Sequence, residues 1–396
     1  VWRLTGLLLF LALRSQPLPA QTFVTLPYFN LSRTQSIDWI GDSFSEAVFE
    51  ALSADGRLTV SREIRDASLK EMNVRRYAAL TRGSVIEIAV NLSADVVIYG
   101  EMSLIPDPAG IAKSRLRTVT RILFLRPMKN GPEIAESGPV EDLAALQNRI
   151  AWRVLSATGG SPKIEEEFLR SRASVRLDAQ ESYIRGLLAG SADQKLRLFS
   201  AAARLEPAFS QACFQLGRLY DARRDWKAAS EWMARVGPSD PGYREALFRL
   251  GSARYRRGEY GAAIQPLAKL AAVIPLAEVF NNLGAAQLRA GDAAAAESFR
   301  KALEADPSDP DYHFNLGYAE WRRGDFAAAA TYLQAALARD PDDGHAELLL
   351  EKCEKRVGPR PGDPRTEGLE RLKSNYDETA WLHLKAMLER KAATPE

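Results

Sequence analysis

Two short periodicities of apolar residues alternate over the first part of the chain, and a much longer one takes over after them. Thr22 to Phe29 is rich in β-branched and aromatic residues and predicts a strand. From Ser36 to Leu52, residues Ile37, Ile40, Phe44, Val48 and Leu52 fall on one helical face. Ser36 stands where a cap belongs, and Asp38 and Asp42 lie near the positive end of that helix. Arg57 to Ser61 predicts a short strand. Ser84 to Leu92 predicts a helix with Val85, Ile88, Ala89 and Leu92 inward, and Asp95 to Gly100 a buried strand. In Arg115 to Leu125, Leu116, Val119 and Leu123 stand against Arg and Thr, the pattern of a half-exposed strand. Glu133 to Val140 is placed to pair with it across a hairpin turn at Asn130-Gly131-Pro132. Glu141 to Leu155 closes the region as an amphipathic helix. Strands interleaved with helices make residues 21–158 an α/β domain.

Beyond Asp178 the chain repeats itself. Leu216-Gly217, Leu250-Gly251, Leu283-Gly284 and Leu316-Gly317 are spaced by 34, 33 and 33 residues. Each pair is followed by a turn, then by an alanine (Ala229, Ala263, Ala296, Ala329), then by a proline (Pro241, Pro275, Pro307, Pro341). Small residues let paired helices approach closely, and the prolines end each second helix. No repeat buries its apolar face alone, so the pattern predicts an all-α solenoid over 178–357 of about five repeats, with Gly344 to Val357 as a capping helix.

The remaining segments read as ends and joints. Arg3, an apolar run Leu4 to Leu13 and the stretch before Gln21 have the order of a secretory signal peptide over 1–20, which implies export to the periplasm or cell envelope. Residues 159–177 read as a linker, and Ser156 to Pro162 as its exposed hinge, crossed by few contacts. Residues 358–366, rich in Pro and Gly, read as a stiff extended linker. Residues 367–396 read as an amphipathic helix with Leu369, Leu372, Tyr376, Trp381, Leu384 and Leu388 on one stripe.

Composition narrows the chemistry. Lys plus Arg is 53 and Asp plus Glu is 51, so charge gives no reason to invoke nucleic acid. Two cysteines, Cys213 and Cys353, sit too far apart along a solenoid to bridge, and three histidines leave little for a metal centre or a triad. Phosphate loops, nucleophile elbows and His-Glu-x-x-His helices do not occur in the sequence. The expectation is a non-enzyme with no catalytic residues, no metal and no cofactor.

Two resemblances sharpen this. The stretches Asp38-Trp-Ile-Gly-Asp-Ser-Phe-Ser-Glu46 and Ile86 to Glu101, with a strand proline at Pro27, resemble the signatures of TolB/FlgO/CsgG-like amino-terminal domains over about 80 residues. That resemblance implies a bacterial envelope role without catalysis. The repeat pattern resembles the tetratricopeptide repeat, whose first helices line a concave protein-binding groove. By that motif's spacing the groove carries Phe214, Phe248, Phe314, Tyr255, Tyr318 and Trp321, with Arg256, Arg289 and Arg322 as a ladder along one wall. Asn281 also falls at a groove-facing position, and Asn282 and Asn315 fall where such families clamp a peptide backbone. The implied partner is a protein or peptide with apolar anchors and acidic groups. Membrane contact is expected to be indirect. The alternative is a self-assembling envelope component that uses the C-terminal helix to form homo-oligomers.

Overall fold

The computed structural model describes residues 21–382 other than 33, 161–163 and 173. The expected signal peptide, part of the expected hinge and residues 383–396 of the expected C-terminal helix lie outside these.

The chain opens with β1 (Thr22–Thr25) and β2 (Phe29–Asn30), then α1 (Trp39–Ala54), β3 (Leu58–Thr59), α2 (Arg62–Glu71) and α3 (Arg82–Asn91). The sheet continues with β4 (Val96–Ile105), β5 (Arg115–Leu125), β6 (Met128–Asn130) and β7 (Ile134–Pro139), and α4 (Leu143–Ala157) follows. β1 lies parallel between β3 and β4, β2 extends β1's line along β4, and β5 runs antiparallel to β4. The sheet is therefore mixed, with α1 and α4 on one face and α2 and α3 on the other. Strand alternation decides the faces: Phe23 and Val96 pack toward α1 and α4, while Val24 and Val97 pack toward α3.

Three local expectations are corrected. On β5 the face toward α1 and α4 is Leu116, Thr118, Thr120 and Ile122; Leu123 points the other way and Val119 is only half-buried. The threonines read as solvent positions, but Thr120 is buried and bonds the Tyr28 hydroxyl at 2.7 Å. The tight turn after β5 falls at Arg126-Pro127, because Leu125 already pairs with Met128. Asn130-Gly131-Pro132 instead lies where the register steps by one residue between β6 and β7. Ser36 does not cap α1: it sits in a 3-10 turn and α1 starts at Trp39, so the N-cap position falls to Asp38, with Asp42 in the first turn as expected. Asp42 is wholly buried, accepts from the Tyr77 hydroxyl at 3.0 Å, and lies 3.5 Å from Arg76 and 3.9 Å from Arg62.

The expected joint is also corrected. The described part of 159–177 contains α5 (Glu165–Ser171), whose Phe168 is buried against the sheet domain's helical face. The solenoid then runs as helix pairs: α6 (Leu177–Leu188) with α7 (Ala192–Leu205), α8 (Ser210–Ala222) with α9 (Trp226–Met233), and α10 (Tyr243–Arg256) with α11 (Tyr260–Ala271). It ends with α12 (Ala277–Ala290) and α13 (Ala295–Ala305), α14 (Pro310–Arg323) and α15 (Phe326–Leu337), and the capping α16 (Gly344–Glu354). One buried cluster runs without a break from Phe23 and Phe44 through Ile150 and Phe168 to Tyr183, Phe209 and Leu216. Few crossing contacts were expected; the two regions share a core, because α6 lays its apolar face on α1.

Inside each pair the Leu-Gly glycine is a contact point. A Cβ on Gly217 would stand 2.7 Å from Met233, on Gly284 2.8 Å from Phe299, and on Gly317 2.9 Å from Leu333. Cys213 and Cys353 are free thiols, both buried.

Candidate functional site: a groove filled by the chain's own C-terminal segment

The first helices α10, α12 and α14 place their fifth- and sixth-position residues on the inner surface of the solenoid. Ordinarily a buried Asn costs stability unless its amide finds partners. Asn281, Asn282 and Asn315 are all buried, and their partner is the chain itself. Residues 366–377 thread back across the groove from α14 toward α10.

The backbone of this segment is held in pairs. Asn315 Oδ1 accepts the Arg371 N–H at 2.9 Å, and its Nδ2 donates to the Arg371 carbonyl at 2.8 Å. Asn281 Nδ2 donates to the same carbonyl at 2.7 Å. Asn282 repeats the arrangement two residues on, accepting the Lys373 N–H at 2.9 Å and donating to its carbonyl at 2.8 Å. The spacing of two residues is that of an extended chain, which presents alternate backbone groups to the same side. Tyr318 donates its hydroxyl to the Thr366 carbonyl at 2.7 Å, and Glu278 accepts the Asp377 N–H at 3.2 Å.

The side chains of the segment divide between two walls. Glu370 faces Tyr255, whose hydroxyl donates to it at 3.1 Å, and Arg322, 3.6 Å away. Burial pushes its carboxyl above the ordinary range, against the pull of Arg289, Tyr255 and Arg322. Arg371 lies on the opposite side, with its guanidinium 3.6 Å from the Phe314 ring centre. It reaches Asp311 at 3.1 Å and both oxygens of Asp343 at 2.6 Å. Lys373 bonds Asp309 at 2.6 Å and Asp311 at 2.7 Å. Burial would raise Asp311, but the bonds from Lys373 and Arg371 outweigh it and hold its carboxyl below the usual range. Leu369 and Leu372 join the apolar clusters of α14 and α12, and Tyr376 packs on Phe248 with ring centres 5.3 Å apart.

Most of the residues expected in the groove converge here, with exceptions. Phe248, Tyr255, Asn282, Phe314, Asn315, Tyr318 and Arg322 touch the segment. Arg289 stacks on Tyr260, bonds its hydroxyl at 2.8 Å and stands 3.9 Å from Glu367. Arg256 breaks the ladder: it is exposed and stacks on Trp226. Phe214 packs instead against Gly242 and Arg218, between repeats. Trp321 was expected among the aromatics lining the groove. It is fully buried, its Nε1 donating to the Val357 carbonyl at 2.8 Å, because the chain leaving α16 covers it.

The segment itself departs from expectation. Residues 358–366 form turns rather than a straight linker, with Asp363 N–H bonded to the Arg360 carbonyl and Thr366 N–H to the Asp363 carbonyl. Residues 369–377 carry no helix, and helical turns begin only at 378–382. The helical stripe was read from apolar spacing alone, yet Leu369, Leu372 and Tyr376 are laid half-buried against the groove by an extended backbone. The aspartates that hold Arg371 and Lys373 were also missed. Asp309, Asp311 and Asp343 lie at helix starts, and Asp309 and Asp343 also cap α14 and α16.

A second concavity, of about 350 Å³, lies where the solenoid meets the α/β domain. Glu46, Glu50, Gln147, Arg172, Tyr183 and Asp240 line it. The Glu50 carboxyl is pushed up to about 8, first by burial and then by the charges of Glu46 and Asp240, against Arg172 and a bond from Gln211. Among the described residues, no cluster of His, Cys, Asp and Glu could hold a metal ion.

Comparison with known proteins agrees with the repeats. Residues 281–344 match the tetratricopeptide-repeat family model. No curated protein matches the chain. Among solved structures the chain is similar to YrrB, a TPR protein with an unusual peptide-binding site, at 18% identity and TM-score 0.41, over 45% of this chain and 92% of that one. It is similar to MamA 41-end from Desulfovibrio magneticus RS-1 at 25% identity and TM-score 0.36, over 42% and 95%. It is also similar to the pilF protein of Pseudomonas aeruginosa at 20% identity and TM-score 0.35, over 46% and 87%. The C-terminal part is a TPR-like helical solenoid, and proteins of this type generally mediate protein–protein interactions as non-catalytic scaffolds.

Proposed function

We propose that this chain is a non-catalytic adaptor of the bacterial cell envelope that holds an extended segment of a partner protein in the concave groove of its solenoid. The observation that supports it is the paired asparagine clamp. Asn282 and Asn315 each bind both the N–H and the carbonyl of one residue in an extended chain. Backbone bonding of this kind accepts any side chains, so the groove is built for peptide. The envelope setting rests on the sequence: the leader-like residues 1–20 and the likeness of the α/β domain to TolB/FlgO/CsgG-like domains. The test is hydrogen exchange on the full chain while a library of extended peptides is titrated. Binders should protect the amides of α12 and α14, and lose affinity when Asn282 and Asn315 are replaced by Ala. Binding elsewhere on the molecule would overturn the reading. Fractionation of the tagged chain checks its place in the envelope.

The alternative, self-assembly, is favoured by one observation: the chain's own segment fills the groove. The same contacts made between copies would link them, through an extended segment rather than a helix. A mass that rises with concentration and falls on Arg371→Glu would support it.

A further inference from the structure

The residues that fill the groove give its specificity a chemistry. Resting on the peptide-groove reading, we infer that the external partner presents an extended internal segment with an acidic residue, a basic residue, an apolar residue and a second basic residue in succession, and that it binds by displacing residues 366–377. The order is that of Glu370-Arg371-Leu372-Lys373. Each side chain has a receptor of its own. Tyr255 and Arg322 take the acid. Phe314, Asp311 and Asp343 take the first base, which is stacked on the ring and bonded through one terminal nitrogen to Asp311 and through the other to Asp343. Leu372 enters the apolar cluster of α12 and α14. Asp309 and Asp311 take the second base.

These receptors do not suit a purely acidic partner. Asp309, Asp311 and Asp343 stand within reach of residues 371 and 373, so acidic groups there would meet like charge at short range and with little water between. Conversely, a purely basic peptide would set a cation against Arg322 at the position of Glu370. The groove therefore discriminates by repulsion as well as by attraction. The segment is internal, since the chain continues on both sides of the clamp and, among the described residues, no receptor reads a terminal carboxylate. Its own copy is tethered through the short run after α16, so it is present at high effective concentration and competes with anything that enters.

The experiment uses the full chain in two forms, native and with Arg371→Glu and Lys373→Glu, which set like charges against the three aspartates and free the groove. A second freed form, Glu370→Lys with Leu372→Ser, guards against a folding defect peculiar to the first; melting and circular dichroism report on both. A fluorescent peptide of residues 366–377 is titrated into each form, beside a peptide whose Arg and Lys are replaced by Glu. The native-sequence peptide is expected to bind the freed forms at least tenfold tighter than the native chain, and the reversed peptide at least tenfold weaker than the native-sequence one. Equal binding of the two peptides to a freed form would overturn the charge-order inference and leave the peptide groove standing. If hydrogen exchange shows residues 366–377 released and neither peptide binds, the groove reading itself falls. If the native chain is a dimer that becomes a monomer in the freed forms, the occupant is a second copy, and displacement by an external partner is overturned.

Discussion

Asn282 turns both ends of its amide to one residue of the C-terminal segment, and it also donates from Nδ2 to Ser252 at 3.2 Å and accepts at Oδ1 from Asn281 at 3.2 Å. Removing it leaves the N–H and the carbonyl of Lys373 without their partner. At roughly 0.5–1.5 kcal/mol net per bond, Asn282→Ala is expected to weaken segment docking by about 1–2 kcal/mol. Exchange of the amides around 371–373 should speed several-fold while the solenoid's melting point moves little; unchanged exchange would mean that the clamp does not hold the segment. Glu50 provides a second test. Its folded carboxyl stands at about 8 against an ordinary 4.5. The folded state thus binds the proton more tightly than the unfolded state, and this contribution to stability declines as pH rises from about 4.5 through about 8. Glu50→Gln keeps the acceptor for Gln211 and removes the decline. It is expected to match the native chain at pH 4 and to exceed it at pH 8 by on the order of 1–2 kcal/mol, allowing for water in the cavity. A difference that stays flat across that range would refute the protonated Glu50.

At the scale of elements, the helix pairs depend on contact where a glycine meets a side chain of its partner helix. In α14, Gly317 faces Leu333 of α15 at a spacing that leaves no room for a branched side chain. Gly317→Val is expected to cost about 2–3 kcal/mol, both through overpacking and through a β-branched residue in a helix. Chemical denaturation reads this directly, and an unchanged midpoint would contradict the pairing. The C-terminal segment follows a different logic. Its apolar residues fit a helical stripe equally well on paper, but an isolated helix satisfies its own backbone and offers nothing to Asn281, Asn282 and Asn315. The extended form satisfies three buried amides at once, and that outweighs the helical preference of a short stretch.

For the molecule as a whole, the shared core decides how it unfolds. Phe209 lies in the solenoid, 4.9 Å from Tyr183, inside the cluster that also contains Phe44 and Ile150 of the α/β domain. A break there is felt on both sides. Phe209→Ala is expected to cost about 3–4 kcal/mol and to raise the exchange of β4 amides along with those of α6. Loosening of the solenoid alone, with β4 unchanged, would show two independent bodies. Cooperation across this boundary also means that the groove and the sheet are held in one frame, which loose tethering at 156–162 would not provide.

Local order in this protein is set by its sequence. Periods of two and of 3.6 placed most of its strands and helices, and the 33–34-residue spacing of Leu-Gly pairs located the solenoid and the asparagines of its groove. Such features recur at fixed separations because neighbouring residues share one backbone geometry. Long-range choices were settled only by the tertiary fold. Thr118 and Thr120 are buried by their face of the sheet and Asp42 by the arginines and tyrosine around it, while Arg256 stays exposed and is drawn out of the ladder onto the ring of Trp226. Glu370, Arg371 and Lys373 find receptors contributed by repeats 28 to 115 residues away in the chain. A local pattern cannot register partners at that distance, because what selects the extended segment over the helix is the set of buried amides and carboxylates that only the folded groove brings together.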